Sequence, residues 1–178
     1  MALLSFDEDV AAFSGEPETD HYGAISSYAR PMHDIVHELT IRATPQEVYD
    51  AVTTQAGLAR WWTVDCTATP EVDSLAVFGF EDHTAVFTMR IDLLEPPELV
   101  HWDCIDGPDE WPGTKIAFRI ERDPAFDGEP DPGTRVRFWH GEWEFEDGVL
   151  PRCSFQWAMY LDSLRRYLET GTGSPNER

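Results

Sequence analysis

Pro151-Arg-Cys-Ser-Phe-Gln-Trp-Ala-Met-Tyr-Leu-Asp-Ser-Leu-Arg-Arg-Tyr-Leu-Glu-Thr170 is the stretch on which the fold turns. Its large apolar residues Trp157, Leu161, Leu164 and Leu168 recur at gaps of four, three and four, which is one stripe of an α-helix. Pro151 suits the first turn, where its missing N–H is not needed, and Gly171 stands where a left-handed cap is wanted. The opposite face carries Asp162, Arg165, Arg166 and Glu169. A helix so divided needs an apolar partner surface, and the rest of the chain must supply it.

Outward from that helix the sequence reads as strands. In Thr134 to Phe145, Val136, Phe138 and His140 alternate with Arg135, Arg137 and Trp139. Thr114 to Arg122 places Ile116, Phe118 and Ile120 on one face, and Leu99 to Ile105, Thr84 to Leu94 and Leu75 to Phe80 complete a run joined by turn chemistry such as Glu95-Pro-Pro-Glu98. Asp123 to Gly133 is a long acidic loop, and Asp106 to Gly113 a shorter one. Further back, Asp34 to Arg42 alternates Ile35, His37, Leu39 and Ile41 with polar residues and forms the first strand.

Thr44-Pro-Gln-Glu47 then reads as a capping box with proline at the first helical position. That helix is short, and a second short one through Leu58 and Ala59 leads to Trp61-Trp62. On an extended backbone these two rings diverge, so one is expected to line the interior and the other to pack the helix pair. The tally is α+β: six to seven antiparallel strands, two short helices after the first strand, and a long C-terminal helix on one face.

Composition bounds the function. The 178 residues carry 34 acids against 13 Lys plus Arg, a formal charge of −21, with 42% apolar residues and seven Trp. Such acidity excludes nucleic acid and anionic membrane as partners, since both need clustered positive charge. No apolar window of membrane-spanning length occurs and Met1-Ala-Leu-Leu-Ser-Phe6 lacks the character of a signal peptide, so the chain is read as cytoplasmic. Cys66, Cys104 and Cys153 are too scattered for a disulfide framework or a zinc knuckle and are expected to be buried thiols. Residues 1–33 read as an N-terminal extension with a short helix near Phe6 to Phe13, residues 34–172 as the domain, and 173–178 as a tail.

Taken in order, several pieces of this chain resemble the START-like superfamily, also called SRPBCC, and within it the polyketide-cyclase-like group similar to activators of the heat-shock chaperone ATPase. They are Ile41-Arg-Ala-Thr-Pro-Gln-Glu-Val-Tyr-Asp-Ala-Val-Thr53, Leu58-Ala-Arg-Trp-Trp62, Glu95-Pro-Pro-Glu-Leu-Val100 leading to Trp102, Gly133-Thr-Arg-Val-Arg-Phe-Trp-His140, and the closing helix to Gly171. The resemblance implies the helix-grip fold, a curved sheet wrapped around the terminal helix, with a cavity that in relatives accepts apolar or amphipathic small molecules.

On that footing the expected ligand-binding residues are Trp62, Phe78, Trp102, Phe118, Phe138, Trp157 and Leu161 as an apolar lining, Trp111 as a loop residue over the mouth, and His140 as the polar group touching a ligand. His140 qualifies because its parity is that of Val136 and Phe138, and a buried polar side chain needs a partner. A core histidine satisfied by protein atoms is the alternative. His101 has outward parity, and His33 with His37 make no metal site on a strand, so neither metal nor cofactor is expected. Glu142 and Asp103 suggest paired carboxylates without fixing their distance.

Three functions follow in order: a binding protein for a small hydrophobic ligand, a cyclase or hydrolase using His140 with an acid, and a chaperone-ATPase activator. The last ranks lowest because that role in relatives leans on a chaperone-contacting surface and often a second domain. No catalytic motif marks the chain as an enzyme. Trp139 and Trp143, outward by parity, leave room for a homodimer.

Overall fold

In the computed structural model, residues 32–126, 128 and 133–177 are described, and the expected helix near Phe6 to Phe13 lies outside them. The strands are β1 (His33–Ile41), β2 (Cys66–Thr67), β3 (Leu75–Phe80), β4 (Ala85–Glu95), β5 (Leu99–Asp106), β6 (Lys115–Arg122) and β7 (Thr134–Trp143). They form one seven-stranded sheet in the order β1-β7-β6-β5-β4-β3-β2, antiparallel throughout. Helices α1 (Pro45–Thr53) and α2 (Gln55–Trp61) follow β1, and α3 (Leu150–Thr170) closes the fold across the inner face. This is the helix-grip α+β architecture. No helix among the described residues is long and apolar enough to cross a membrane.

Local chemistry sets the elements as expected. Thr44 accepts from the Glu47 amide while the Glu47 carboxylate accepts from the Thr44 amide, the reciprocal cap of α1. Those bonds hold the Glu47 carboxyl below its ordinary pKa. Gly171 ends α3 at φ 79°, with its amide on the Tyr167 carbonyl. The buried stripe of α3 comprises Cys153, Trp157, Leu161 and Leu164, whereas Leu168 is half-buried against the edge of the same core. Residues 173–176 turn back: Asn176 exchanges backbone hydrogen bonds with Trp62 and Val64, and the Ser174 amide donates to Ser163 Oγ.

Three expectations about side-chain direction or exposure fail, each for an identifiable reason. Trp61 and Trp62 are both buried and stack at 5.9 Å, because Trp61 ends α2 and Trp62 caps it in helical, not extended, geometry. Trp61 does brace the helix pair, its Nε1–H donating to the Ala51 carbonyl at 2.9 Å.

Trp143 is fully buried instead of outward. Ile35 faces His140 and His33 faces Trp143, so Asp34 opposes both Gly141 and Glu142. This is a β-bulge with Glu142 at φ 66°, and the extra residue reverses the alternation beyond it. The Asp34 carboxylate holds the bulge by accepting from the Glu142 amide at 3.2 Å.

Trp139 keeps outward parity and is nonetheless buried, as is His101. Both register against Ala117, whose small side chain lets the two rings stack across it at 6.4 Å and 19°. The Trp139 ring also lies over Gly141, where a Cβ would collide with it. Neither Trp139 nor Trp143 therefore offers an exposed aromatic for dimerisation.

The core runs unbroken from α1 and α2 through the inner sheet face to α3, and the three cysteines are free and buried in it. Burial pushes the Cys104 thiol up to about 12 and Cys153 up to about 11.

Candidate functional site

The expected apolar lining is brought together, mostly as filling. Trp102, Phe118 and Phe138 project from neighbouring strands and meet edge to face at 5.5 and 5.2 Å. Phe138 meets Trp157 of α3 at 4.4 Å, and Phe78 meets Trp62 at 4.2 Å. Phe78, Phe118 and Phe138 have no exposed surface, and Trp102 and Leu161 are 1% and 3% exposed. The middle of the grip is closed by its own aromatics.

His140 sits in this layer with no exposed surface. Its Nδ1 accepts the Trp157 indole N–H at 2.9 Å, and since indole only donates, Nδ1 is unprotonated. The ring proton is then on Nε2, which donates to Thr114 Oγ1 at 2.9 Å, and Thr114 passes its own proton to the Trp111 carbonyl at 2.7 Å. The backbone carbonyl of His140 accepts from the Trp143 indole at 3.0 Å. Desolvation holds this imidazole well below its ordinary pKa. His140 is thus a neutral joint linking α3, β7 and the β5–β6 loop, satisfied by protein atoms.

Open space begins in front of that joint. A cleft of about 360 Å³ lies between the β3–β4 hairpin, the β5–β6 loop and the N-terminal half of α3. Of the expected residues, Trp62, Trp111 and Trp157 line it; Phe78, Trp102, Phe118, Phe138, His140 and Leu161 lie behind it. Phe80, Phe87 and Tyr160 complete the aromatic wall, with Phe87 against Trp111 at 4.3 Å and Phe80 near Tyr160 at 6.2 Å. Polar side chains share the lining: Arg152 pairs with Asp109 at 3.2 Å, and Gln156, Glu81 and Asn176 also line the cleft. Cys153 forms part of the floor with its thiol protonated.

Phe80, Phe87 and Tyr160 were not singled out in sequence. Phe87 has the inward parity of Met89, and Tyr160 follows Trp157 by three residues, so both signals were present; Phe80 ends its strand, where parity says little. A second depression of about 400 Å³, near Pro45 and the β4–β5 turn, is walled largely by Glu95, Glu98, Arg119, Glu121 and Arg122 and lacks an aromatic surface.

Asp103 and Glu142 are on the outer sheet face, away from the cleft, and are neutralised there: Arg90 pairs with Asp103, and Lys115 with Glu142 at 2.9 Å. Asp92, His101 and Asp103 bring their ligand atoms within 4.8 Å of one another. The Arg90 guanidinium occupies the carboxylate side of that group, which accounts for it as an ion-pair network. His37 donates to the Ser154 carbonyl at 3.1 Å and ties β1 to α3.

Comparison with known proteins bears on this geometry. The model of the activator of Hsp90 ATPase homolog 1-like protein family matches residues 42–169. The chain belongs to that family. Among solved structures, the Aha1 dimer from Colwellia psychrerythraea is 32% identical with a TM-score of 0.68, the match covering 79% of this chain and 99% of that one. Protein SSP2350 from Staphylococcus saprophyticus (17% identity, TM-score 0.63, 82% and 98% covered) and CalU16 from Micromonospora echinospora (19%, 0.60, 79% and 76%) share the fold. No functionally curated protein matches the chain significantly. Within this Aha1-like family the match ends at Glu169 and begins just after β1, so it spans the elements that build the cleft.

Proposed function

We propose that this Aha1-like domain binds a small hydrophobic or amphipathic molecule in the cleft walled by Trp62, Trp111 and Trp157, in the cytoplasm. The cleft itself carries the reading. About 360 Å³ is left open against six aromatic side chains, with Glu81, Asp109, Arg152, Gln156 and Asn176 also lining it. Ligand pockets typically begin at about 300 Å³ and pair an apolar wall with a few fixed polar groups. An aromatic body would enter between Trp111 and Tyr160, and a polar end would meet Gln156 and the Arg152–Asp109 pair. His140 acts at one remove, by fixing Trp157 and Trp111.

The test is a fluorescence titration with a panel of fatty acids and polycyclic aromatics, since three of the seven tryptophans line the cleft. A saturable change is expected from the wild type and none from Ala85→Phe, which fills the cleft from a half-buried strand position. A folded wild type that stays silent across the panel refutes the proposal.

Family membership favours a second reading, contact with a chaperone ATPase. The match covers 99% of the Colwellia Aha1 chain, so that role no longer ranks last. The same relative is a dimer, which supports self-association here; Phe155 and Met159, 68% and 59% exposed on the outer side of α3, are the surface to mutate. Sedimentation of Phe155→Asp against wild type decides it, with an unchanged monomeric profile in both removing the dimer.

A further inference from the structure

Past the Gly171 cap the chain runs back along α3 toward the cleft. The Ser174 amide donates to Ser163 Oγ at 2.6 Å, and the Arg166 guanidinium donates to Ser174 Oγ at 2.7 Å. Asn176 then forms a parallel bridge with Thr63: its amide donates to the Trp62 carbonyl at 2.8 Å, and its carbonyl accepts from the Val64 amide at 3.0 Å. The Asn176 side chain is hydrogen-bonded to the Tyr160 hydroxyl. Trp62, Tyr160 and Asn176 all line the cleft, so the segment after α3 is one of its walls. The family match stops at Glu169, before this segment begins.

The wall is closely fitted and lightly fastened. At Gly173 a Cβ would stand 2.2 Å from the Arg60 carbonyl oxygen, a contact no side-chain-bearing residue can make. Arg60 lies in the last turn of α2, whose Leu58 and Trp61 are buried, so the helix cannot yield and the segment must. Residues 173–176 themselves place no side chain in the buried core. Hydrogen bonds hold them, and each such bond has a small net worth because water offers the same groups a partner.

The other walls are held differently. Phe80, Ala85 and Phe87 sit on strands paired to each other, and Trp111 and Trp157 are joined through His140 and Thr114. Local opening starts where apolar contacts are fewest, and around this cleft that is the segment after α3.

We propose that Gly173–Asn176 is a strap whose release opens the cleft between Trp62 and Tyr160, and that the cleft is entered by this route. Its purpose rests on the reading of the cleft as a ligand site; the opening itself needs no ligand.

Cys153 makes the opening measurable. It forms part of the cleft floor at 3% exposure, whereas Cys104, 2% exposed, does not line the cleft and serves as the internal control. The full chain is treated with methyl methanethiosulfonate, and the labelling of each cysteine is followed by mass spectrometry. Gly173→Ala expels the strap by collision with Arg60, and Asn176→Pro removes the amide that donates to Trp62. Each is expected to speed labelling of Cys153 tenfold or more, the factor for losing about two hydrogen bonds, with Cys104 unchanged. In the wild type, low urea should leave the Cys153 rate nearly constant and raise the Cys104 rate steeply, as local and global opening require.

Unchanged Cys153 labelling in both variants overturns the strap. Equal acceleration of Cys153 and Cys104 also overturns it, since the segment would then support the whole fold and not one wall. A fluorescence titration that stays silent while Cys153 responds refutes the ligand reading and leaves the strap standing.

Discussion

Acid should destabilise this protein through His140. His140 has no exposed surface, and its Nδ1 faces the Trp157 indole N–H, so protonation would set two N–H groups against each other and place a charge among Trp111, Trp143, Trp157 and Phe138. None of these neighbours ionises. The folded-state pKa is therefore well below the ordinary 6.5, with desolvation the leading cause. In the unfolded chain the same imidazole titrates normally, so below that value the unfolded state binds a proton the folded state refuses.

The sign follows: His140 costs no stability above its unfolded pKa and destabilises progressively as pH falls toward its folded pKa. The slope approaches about 1.4 kcal/mol per pH unit where only the unfolded state is protonated, which bounds the loss between pH 8 and 5 at about 2 kcal/mol. Urea unfolding of wild type and His140→Gln across that range isolates the term, because every other titrating group is common to both. At pH 8 the wild type should be more stable by about 1 to 3 kcal/mol for the lost hydrogen bonds, and the gap should narrow toward pH 5, by at most about 2 kcal/mol. A gap that stays constant with pH, or an imidazole at 140 that titrates near its ordinary value in the folded protein, refutes the neutral joint.

Two further perturbations probe the elements that aim the site. Gly141→Ala drives a Cβ into the Trp139 ring and the Asp34 carboxylate at the bulge, and should lower stability in urea by about 2 kcal/mol or more. Thr44→Ala removes the side-chain half of the α1 cap and should cost about 1 kcal/mol in the same assay, with no change in ligand response because α1 does not line the cleft.

Periodicity and turn chemistry made the architecture legible. The four-three-four stripe of α3, the Thr44–Glu47 cap and the strand alternations each depend on neighbours a few residues away, and that range is what a single sequence displays. Direction failed where the backbone departed from regularity. The bulge at Glu142 turned Trp143 inward, and nothing in Gly-Glu-Trp announces an extra residue opposite Asp34. Helical geometry at Trp61 and Trp62 removed the premise that adjacent rings diverge. For Trp139 and His101, parity was correct and burial was not, because Ala117 lies between them across two strand pairings.

The site was less legible than the fold, and for a physical reason. Inward parity identifies residues that face the core, yet whether such residues fill it or enclose space depends on summed ring volumes and on where a loop closes. The inner strands carry so many aromatics that they interdigitate through the middle, and the cleft opens at the end where the β3–β4 hairpin and the β5–β6 loop diverge from α3. Thr114, the residue that completes the His140 chain, is a small polar residue at the start of a strand and gives no sequence signal at all. Yet that chain makes the cleft a preformed surface: with Trp157 held through its indole nitrogen and Trp111 through its carbonyl, two of the three tryptophan walls are fixed by hydrogen bonds that no ligand has to supply. Binding there would order few side chains, so the rings contribute their apolar contact without the entropic cost that a collapsing pocket exacts.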